Sequence, residues 1–363
     1  MPRVNTPDDP LPAFPMVTRT APSRTMTAGF RYAPVADLTL RASVGTGFLS
    51  PSAAQTTPSI TTTTLLTVTD PKRGGVSQTY NSVSWTLGSN PDLRPEQSRS
   101  VSAGLIYTPR FLPGFRLSVD YTKIDKTDEI ASLSAQQTLD FEDLLPAGQV
   151  TRAALTSADQ ALGYTGGVVT AYRTNSVNFA RKIVEAIDVQ ADYTRKTSLG
   201  EFRAYGMATI NRRNATQVVP TAPLIDTVGY TTSTVHANFK WRGNVGLDWR
   251  RGPWSAGWNI QYYGSLYVYG ANDTAATRAS TILTQGSDHY PSQYFCDVRA
   301  SYQLGKQGEG WRRAFGDMKL SVGVQNAFNR DLLIRAGTSA SLGYLPVDDP
   351  RLRRYSLNLE KRF

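Results

Sequence analysis

The side-chain alternation predicts an all-β fold: an antiparallel transmembrane β-barrel fragment of about 11 up-and-down strands, forming an open curved sheet on its own. Three observations predict it. Segment after segment has period-two patterning with a clean apolar face. The connections alternate between short and long. No stretch approaches the roughly 18 uninterrupted apolar residues of a membrane helix, and mean hydropathy is −0.33. A barrel alternates lipid-facing with lumen-facing residues, so a soluble-looking average does not exclude a membrane.

Taken in order, the expected strands are 25–32, 37–48, 96–108, 115–126, 183–197, 201–213, 238–250, 254–266, 293–304, 317–328 and 351–363. In "FRLSVDYTK", Phe115, Leu117, Val119 and Tyr121 share one face, with Arg116, Ser118, Asp120 and Thr122 opposite. "FKWRGNVGLDWR" sets Phe239, Trp241, Val245, Leu247 and Trp249 against Lys240, Arg242, Asn244 and Asp248. "WSAGWNIQYYG" repeats this through Trp254, Trp258 and Ile260, and "DMKLSVGVQNAF" through Met318, Leu320, Val322 and Val324. The apolar set should face lipid, on the convex side, and Arg116, Asp120, Arg242 and Asp248 should face the lumen. Arg or Lys at the lipid midplane costs roughly 2–4 kcal/mol, whereas a watered lumen tolerates charge.

The connections 33–36, 109–114, 198–200 and 251–253 are tight, and 305–316 is somewhat longer. Between them lie 49–95, 127–182, 214–237, 267–292 and 329–350. Short turns at one end and long loops at the other are the pattern of outer-membrane barrels. Tyr107, Phe111, Phe115, Trp249 and Trp254 flank the short turns, as an interfacial aromatic girdle would. The last strand, "RRYSLNLEKRF", keeps Tyr355, Leu357, Leu359 and Phe363 in one apolar phase and stops on an aromatic.

With 39 basic and 29 acidic residues the formal charge is +10. The cations are spread through the strands instead of forming a basic run with interleaved aromatics, which argues against nucleic-acid binding. A basic surface suits anionic outer-leaflet lipid or an anionic ligand. The lone Cys296 has no internal disulfide partner. Residues 1–24 lack an apolar core behind a basic flank, so they are expected to be an extracellular loop remnant and not a signal peptide.

Five phrases together resemble one family. "YAPVADLTLRASVGTGFLSPS" (32–52) resembles the mid-barrel hairpin of TonB-dependent outer-membrane receptors, and "NPDLRPEQSRSVSAGLIYTP" (90–109) is similar to their "NPxLxPExSxxxxxGxxY" strand. "EAIDVQADY" (185–193) resembles the "GxDxxxxY" strand, with Ala186 in place of glycine. "VGVQNAFNR" (322–330) and the closing "LEKRF" follow in the family's order. The resemblance implies a ligand-gated importer of siderophores, haem, cobalamin or carbohydrates, with a plugged barrel of about 22 strands. It places residues 25–363 in the C-terminal half of that barrel, in the bacterial outer membrane. No plug pattern or TonB box is expected here, so the TonB complex would be reached only through a missing plug and barrel half. Outer-membrane lipid and the barrel-assembly machinery are the expected partners. The machinery would read Tyr355, Leu357, Leu359 and Phe363 as the assembly signal by strand addition.

Catalytic signatures are thin, and no enzyme, cofactor or metal site is expected. His236 and His289 lie in or beside loops, and Ser233, Ser287 and Asp288 are only their sequence neighbours. Gly163, Gly166 and Gly167 read as turn glycines. The Thr-rich 56–68 reads as a mobile or self-pairing loop, and a short helix is expected around Leu139–Leu145. Candidate ligand contacts are the loop-tip aromatics Tyr80, Trp85, Tyr164, Tyr230, Tyr267 and Tyr269, with Arg41 and Arg242 as upper-lumen cations. Two rival readings remain: a complete small barrel acting as porin or hydrolase, closed by pairing of 25–32 with 351–363, and a soluble adhesive β-protein. The latter would bury the face bearing Trp241, Trp249, Trp254 and Trp258 under a second sheet.

Overall fold

The structure, a computed structural model, describes residues 25–56, 60–87, 90, 92–220, 222–231, 237–304, 318–336, 343–345 and 347–361. All eleven expected strands form. They are β1 (Thr27–Val35), β2 (Leu38–Leu49), β3 (Glu96–Tyr107), β4 (Phe115–Ala131), β5 (Val177–Thr197) and β6 (Gly200–Gln217). Then come β7 (Trp241–Arg251), β8 (Trp254–Tyr263), β9 (Gln293–Gln303), β10 (Met318–Gln325) and β11 (Arg354–Lys361). They pair in chain order, antiparallel throughout, and a short twelfth strand, Ile225–Asp226, pairs with β6 alone. The sheet is open: among the described residues β1 pairs only with β2, and β11 only with β10. The closed small barrel required those two strands to meet.

Register carries one apolar face and one polar face across the whole sheet. Tyr121, Ile187, Ile210 and Trp241 lie in one cross-strand row. Val245, Ile260 and Cys296 lie in another, and Leu247, Trp258, Val298 and Val324 in a third. Leu117, Val119, Leu320 and Val322 share that face, while Arg116, Asp120, Arg242 and Asp248 occupy the other, as expected. Tyr355, Leu357 and Leu359 keep the apolar phase opposite Val324, Val322 and Leu320; Phe363 and residues 1–24 lie outside the described residues. Trp241, Trp254 and Trp258 are 46%, 54% and 39% exposed, so no second sheet covers this face. That disposes of the sandwich.

Aromatics cluster where the strands meet the short turns. Phe115 pairs with Tyr193, Phe202 with Trp249, and Trp254 with Tyr302, whose rings meet edge-on at 4.6 Å. Along β8, Trp254 and Tyr262 are eight residues apart, about 27 Å of strand at ~3.4 Å per residue. Tilted by ~45°, that length fits an apolar band between two interfacial belts.

The boundaries differ from expectation where the loops are themselves structured. β4 and β5 run on to Ala131 and back to Val177, with bulges after Lys126. β8 ends at Tyr263, with Gly264 N–H still bonded to Trp241 O at 2.8 Å. β10 ends at Gln325, where Asn326 takes φ 50°. The Thr-rich segment is a strand, Ile60–Asp70, in a hairpin with Val76–Leu87. This hairpin joins Val169–Arg173 and Val150–Arg152 in a four-stranded sheet. The expected helix is Ala135–Asp140 followed by a 3-10 turn, Glu142–Leu144. Ser134 and Gln137 form a reciprocal capping box at its start, which the sequence pattern S-x-x-Q encodes. An unexpected helix, Ala275–Gln285, is capped by Thr274 and stopped by Gly286 at φ 78°. The buried cores lie at the long-loop end: Leu66, Val68, Tyr80, Val83, Leu139, Val169 and Tyr172 form one, and Phe239, Leu266, Val268, Tyr290 and Leu345 another.

Candidate functional site

The polar face carries cross-strand ion pairs in its short-turn half. Arg41 donates from Nε and Nη2 to Asp120 at 2.8 and 2.6 Å. Arg203 donates to Asp192 at 2.7 Å and Arg299 to Asp248 at 2.5 Å. Two of these pairs skip a strand. Arg41 on β2 reaches Asp120 on β4 across β3, where the residue between them is Gly104. Arg299 on β9 reaches Asp248 on β7 across Gly257 of β8. A Cβ on Gly104 would collide with the Asp120 carboxylate, and one on Gly257 would lie 2.5 Å from Asp248 Oδ1. The glycines are windows through which charges pair. Gly104→Val is expected to separate Arg41 from Asp120 and lower the stability of the folded wall by about 1–3 kcal/mol. Denaturant unfolding in detergent checks it; an unchanged midpoint would show that the window has no energetic role.

Arg41 is three residues into β2 from its short-turn end, so it is not the upper-lumen cation expected. Strand direction decides this: β1 descends toward the short turn at 36–37 and β2 climbs away from it. Arg242, second in β7, does sit at the long-loop end of the polar face.

The first core belongs to a cap built from the loops after β2 and β4, and three candidates are anchors within it. Tyr80 is 5% exposed and donates to Asp70 Oδ2 at 2.5 Å. Trp85 stacks on Tyr172 at 6.1 Å and 7°, and its Nε1 donates to Thr174 Oγ1 at 2.8 Å. The Tyr164 ring lies 4.5 Å beneath the Arg73 guanidinium, which also donates to Asp159 at 2.8 Å. The hub is a group the sequence pattern did not single out. Asp70, fully buried, takes two bonds from Arg152 at 2.8 and 3.0 Å. Arg152 spends its remaining N–H groups on Glu142 and Gly167 O. Burial works to raise the Asp70 pKa, but bonds from Arg152, Tyr80 and the Lys72 N–H outweigh it and hold the carboxyl below its ordinary range. Burial and Asp70 together make the Tyr80 phenol harder to ionise.

The other three aromatic candidates come together. Tyr230 stacks on Tyr267 at 4.7 Å, and Tyr267 lies 5.1 Å from Tyr269. His289 sits 4.0 Å from Tyr267, ring to ring, and Arg278 is 5.3 Å from the Tyr269 ring. Burial first, then the neighbouring phenols, raise the Tyr269 pKa, so it presents a neutral hydroxyl. All are half-buried: a partly open π surface with a cation at its edge, suited to flat or anionic ligands. Sequence reasoning missed Arg278 because it overlooked the helix Ala275–Gln285, whose Thr and Gly caps were the available signal. Ser287 accepts from the backbone N–H of His289 and donates to its carbonyl, away from the imidazole ring. Asp288 holds the ring at 2.9 Å. His236 lies outside the described residues. Among the described residues no group of three or more His, Cys, Asp or Glu side chains is placed to hold a metal.

A sheet with an exposed apolar band on one face, an aromatic belt, a charged opposite face and loops gathered at one end is a β-barrel wall. The family described as "TonB dependent receptor-like, beta-barrel" matches residues 18–327, and the chain belongs to it. Three solved structures share the fold. A mutant of the ferric enterobactin receptor PfeA from Pseudomonas aeruginosa is 16% identical, with TM-score 0.53 over 92% of this chain and 39% of that one. The siderophore receptor PirA from Acinetobacter baumannii is 14% identical, with TM-score 0.57, over 92% and 40%. The FrpB iron transporter from Neisseria meningitidis is 11% identical, with TM-score 0.51, over 93% and 39%. The chain therefore spans about two fifths of the length of these structures. No curated protein matches it in sequence.

Proposed function

We propose that this chain supplies the C-terminal half of the barrel wall of an outer-membrane, TonB-energised receptor for an iron-chelating small molecule. The observation that carries the reading is the Tyr230–Tyr267–Tyr269 stack beside Arg278, placed at the long-loop end of a wall of this family. Ferric siderophore complexes are large, flat-sided and often anionic, which fits aromatic faces edged by a cation. Structures similar in fold bear the names of ferric enterobactin and siderophore receptors. In this reading the plug, the remaining wall and the TonB contact come from outside residues 25–363. The exposed apolar phase of Tyr355, Leu357 and Leu359 supports delivery by the barrel-assembly machinery, through strand addition at the β11 edge.

The test is titration of the 363-residue chain, refolded in detergent, with ferric and iron-free siderophores, read by quenching of aromatic fluorescence. Saturable quenching by a ferric complex is expected, with affinity falling about tenfold or more in Tyr267→Ala, since tyrosines desolvated on binding are common hot spots. Identical titrations for Tyr267→Ala, Arg278→Gln and the parent chain would remove this surface from the binding site.

A further inference from the structure

On the apolar face, the row Tyr121–Ile187–Ile210–Trp241 is the last one before charge begins. The next row on that face reads Lys123, Glu185 and Arg213. The change happens in a single step, at the long-loop end of the wall. β6 bulges there between Asn211 and Arg213, and Arg212 is the inserted residue. Beside the bulge opens a cleft of about 620 Å³ lined by Ile187, Ile210, Trp241, Arg212, Lys240 and Asp226, among others.

The charges of this cleft do not cancel. Lys123 and Glu185 pair with each other at 3.2 Å. Asp226 accepts from the backbone N–H groups of Asn214 and Val228, both at 3.1 Å. Among the described residues, Arg212 and Lys240 stand in no ion pair, and both are exposed. Two cations thus border an apolar floor that faces lipid. We propose that this cleft binds a phosphorylated lipid of the outer leaflet, its phosphate held by Arg212 and Lys240 and its acyl chain laid along Ile187, Ile210 and Trp241. Charge complementarity names the headgroup, since juxtamembrane cations attract anionic lipid phosphates. The floor names the tail, and Trp241 sits at the level where indoles favour the interface.

The proposal rests on the membrane reading of the wall, so the experiment separates the two. The full chain is refolded into phosphatidylcholine vesicles, and protease protection reports insertion. Native mass spectrometry in detergent then reports retention of bis-phosphorylated lipid A, its dephosphorylated form, or inorganic phosphate. Lipid A is expected to be retained one to one, and R212Q/K240Q to weaken retention roughly 30-fold, from about a decade or less per cation. R251Q, at the short-turn end of β7, should match the parent. Insertion should be equal in all variants. Equal retention of dephosphorylated lipid, tight binding of phosphate alone, or an equal loss in R251Q would each overturn the site while leaving the membrane reading intact. Absence of any association with the vesicles in every variant would overturn the reading itself.

Discussion

Val189→Arg is expected to cut association of the chain with lipid well below that of the parent, while Gln190→Arg, one peptide bond away, leaves it unchanged. Val189 faces Val119 and Ala208 on the apolar side, two rows below the charged boundary. Gln190 faces Ser118 and Met207 on the polar side, with Asp192 within 2.9 Å of its amide. A guanidinium at Val189 would sit in hydrocarbon near mid-depth, a penalty of roughly 2–4 kcal/mol. The same group at Gln190 would stay hydrated and gain a carboxylate neighbour. Folding into neutral vesicles, followed by protease protection, distinguishes them. Equal association of the two variants would mean that the faces are not lipid and water.

The second large effect is expected in the cap. Arg152→Met should destabilise it by roughly 3–5 kcal/mol, because Asp70 would be left as a buried carboxylate without its cation. Hydrogen exchange should rise across 60–87 and 150–173 and stay unchanged in β7–β10, which make no part of that core. Uniform protection in both regions would show that the network is dispensable. Acid should act on the same element. The carboxyl of Asp70 is held below its ordinary range, and bonds from Thr156 and Arg73 hold Asp159 at about 2. Folded-state values below the unfolded ones give a stabilisation present at neutral pH and lost as pH falls. The cap should therefore open between pH ~4 and ~2.

The wall was legible because sustained period-two alternation is the signature of a strand with two unlike faces. Each strand must give its two faces different chemistry, so the requirement is written into nearly every residue of β3 to β9. The loops were less legible for a physical reason. Asp70 and Arg152 lie 82 positions apart, and nothing local marks either as a partner of the other. Tyr80, Trp85 and Tyr164 look like any exposed loop aromatics in sequence; only the long-range contacts with Asp70, Thr174 and Arg73 reveal them as scaffold. Tyr230, Tyr267 and Tyr269 were nominated one by one, and folding made them a surface. Arg41 failed on direction, since alternation says which face a residue takes and only strand polarity says at which height.

The open sheet has a further consequence, which lies in counting. β1 and β11, its two outermost strands among the described residues, both run from the long-loop end to the short-turn end. Any polypeptide that closes this wall by antiparallel pairing must therefore offer ascending strands at both of its own borders. An up-and-down set that begins and ends on an ascent has an odd number of members. Two copies of the described eleven-stranded wall cannot meet that condition, because each would bring descending borders and create two parallel seams, a weaker pairing. An odd complement added to eleven gives an even total, the arithmetic that bacterial single-chain barrels obey. The wall thus discriminates against itself by parity alone, before any side chain is compared.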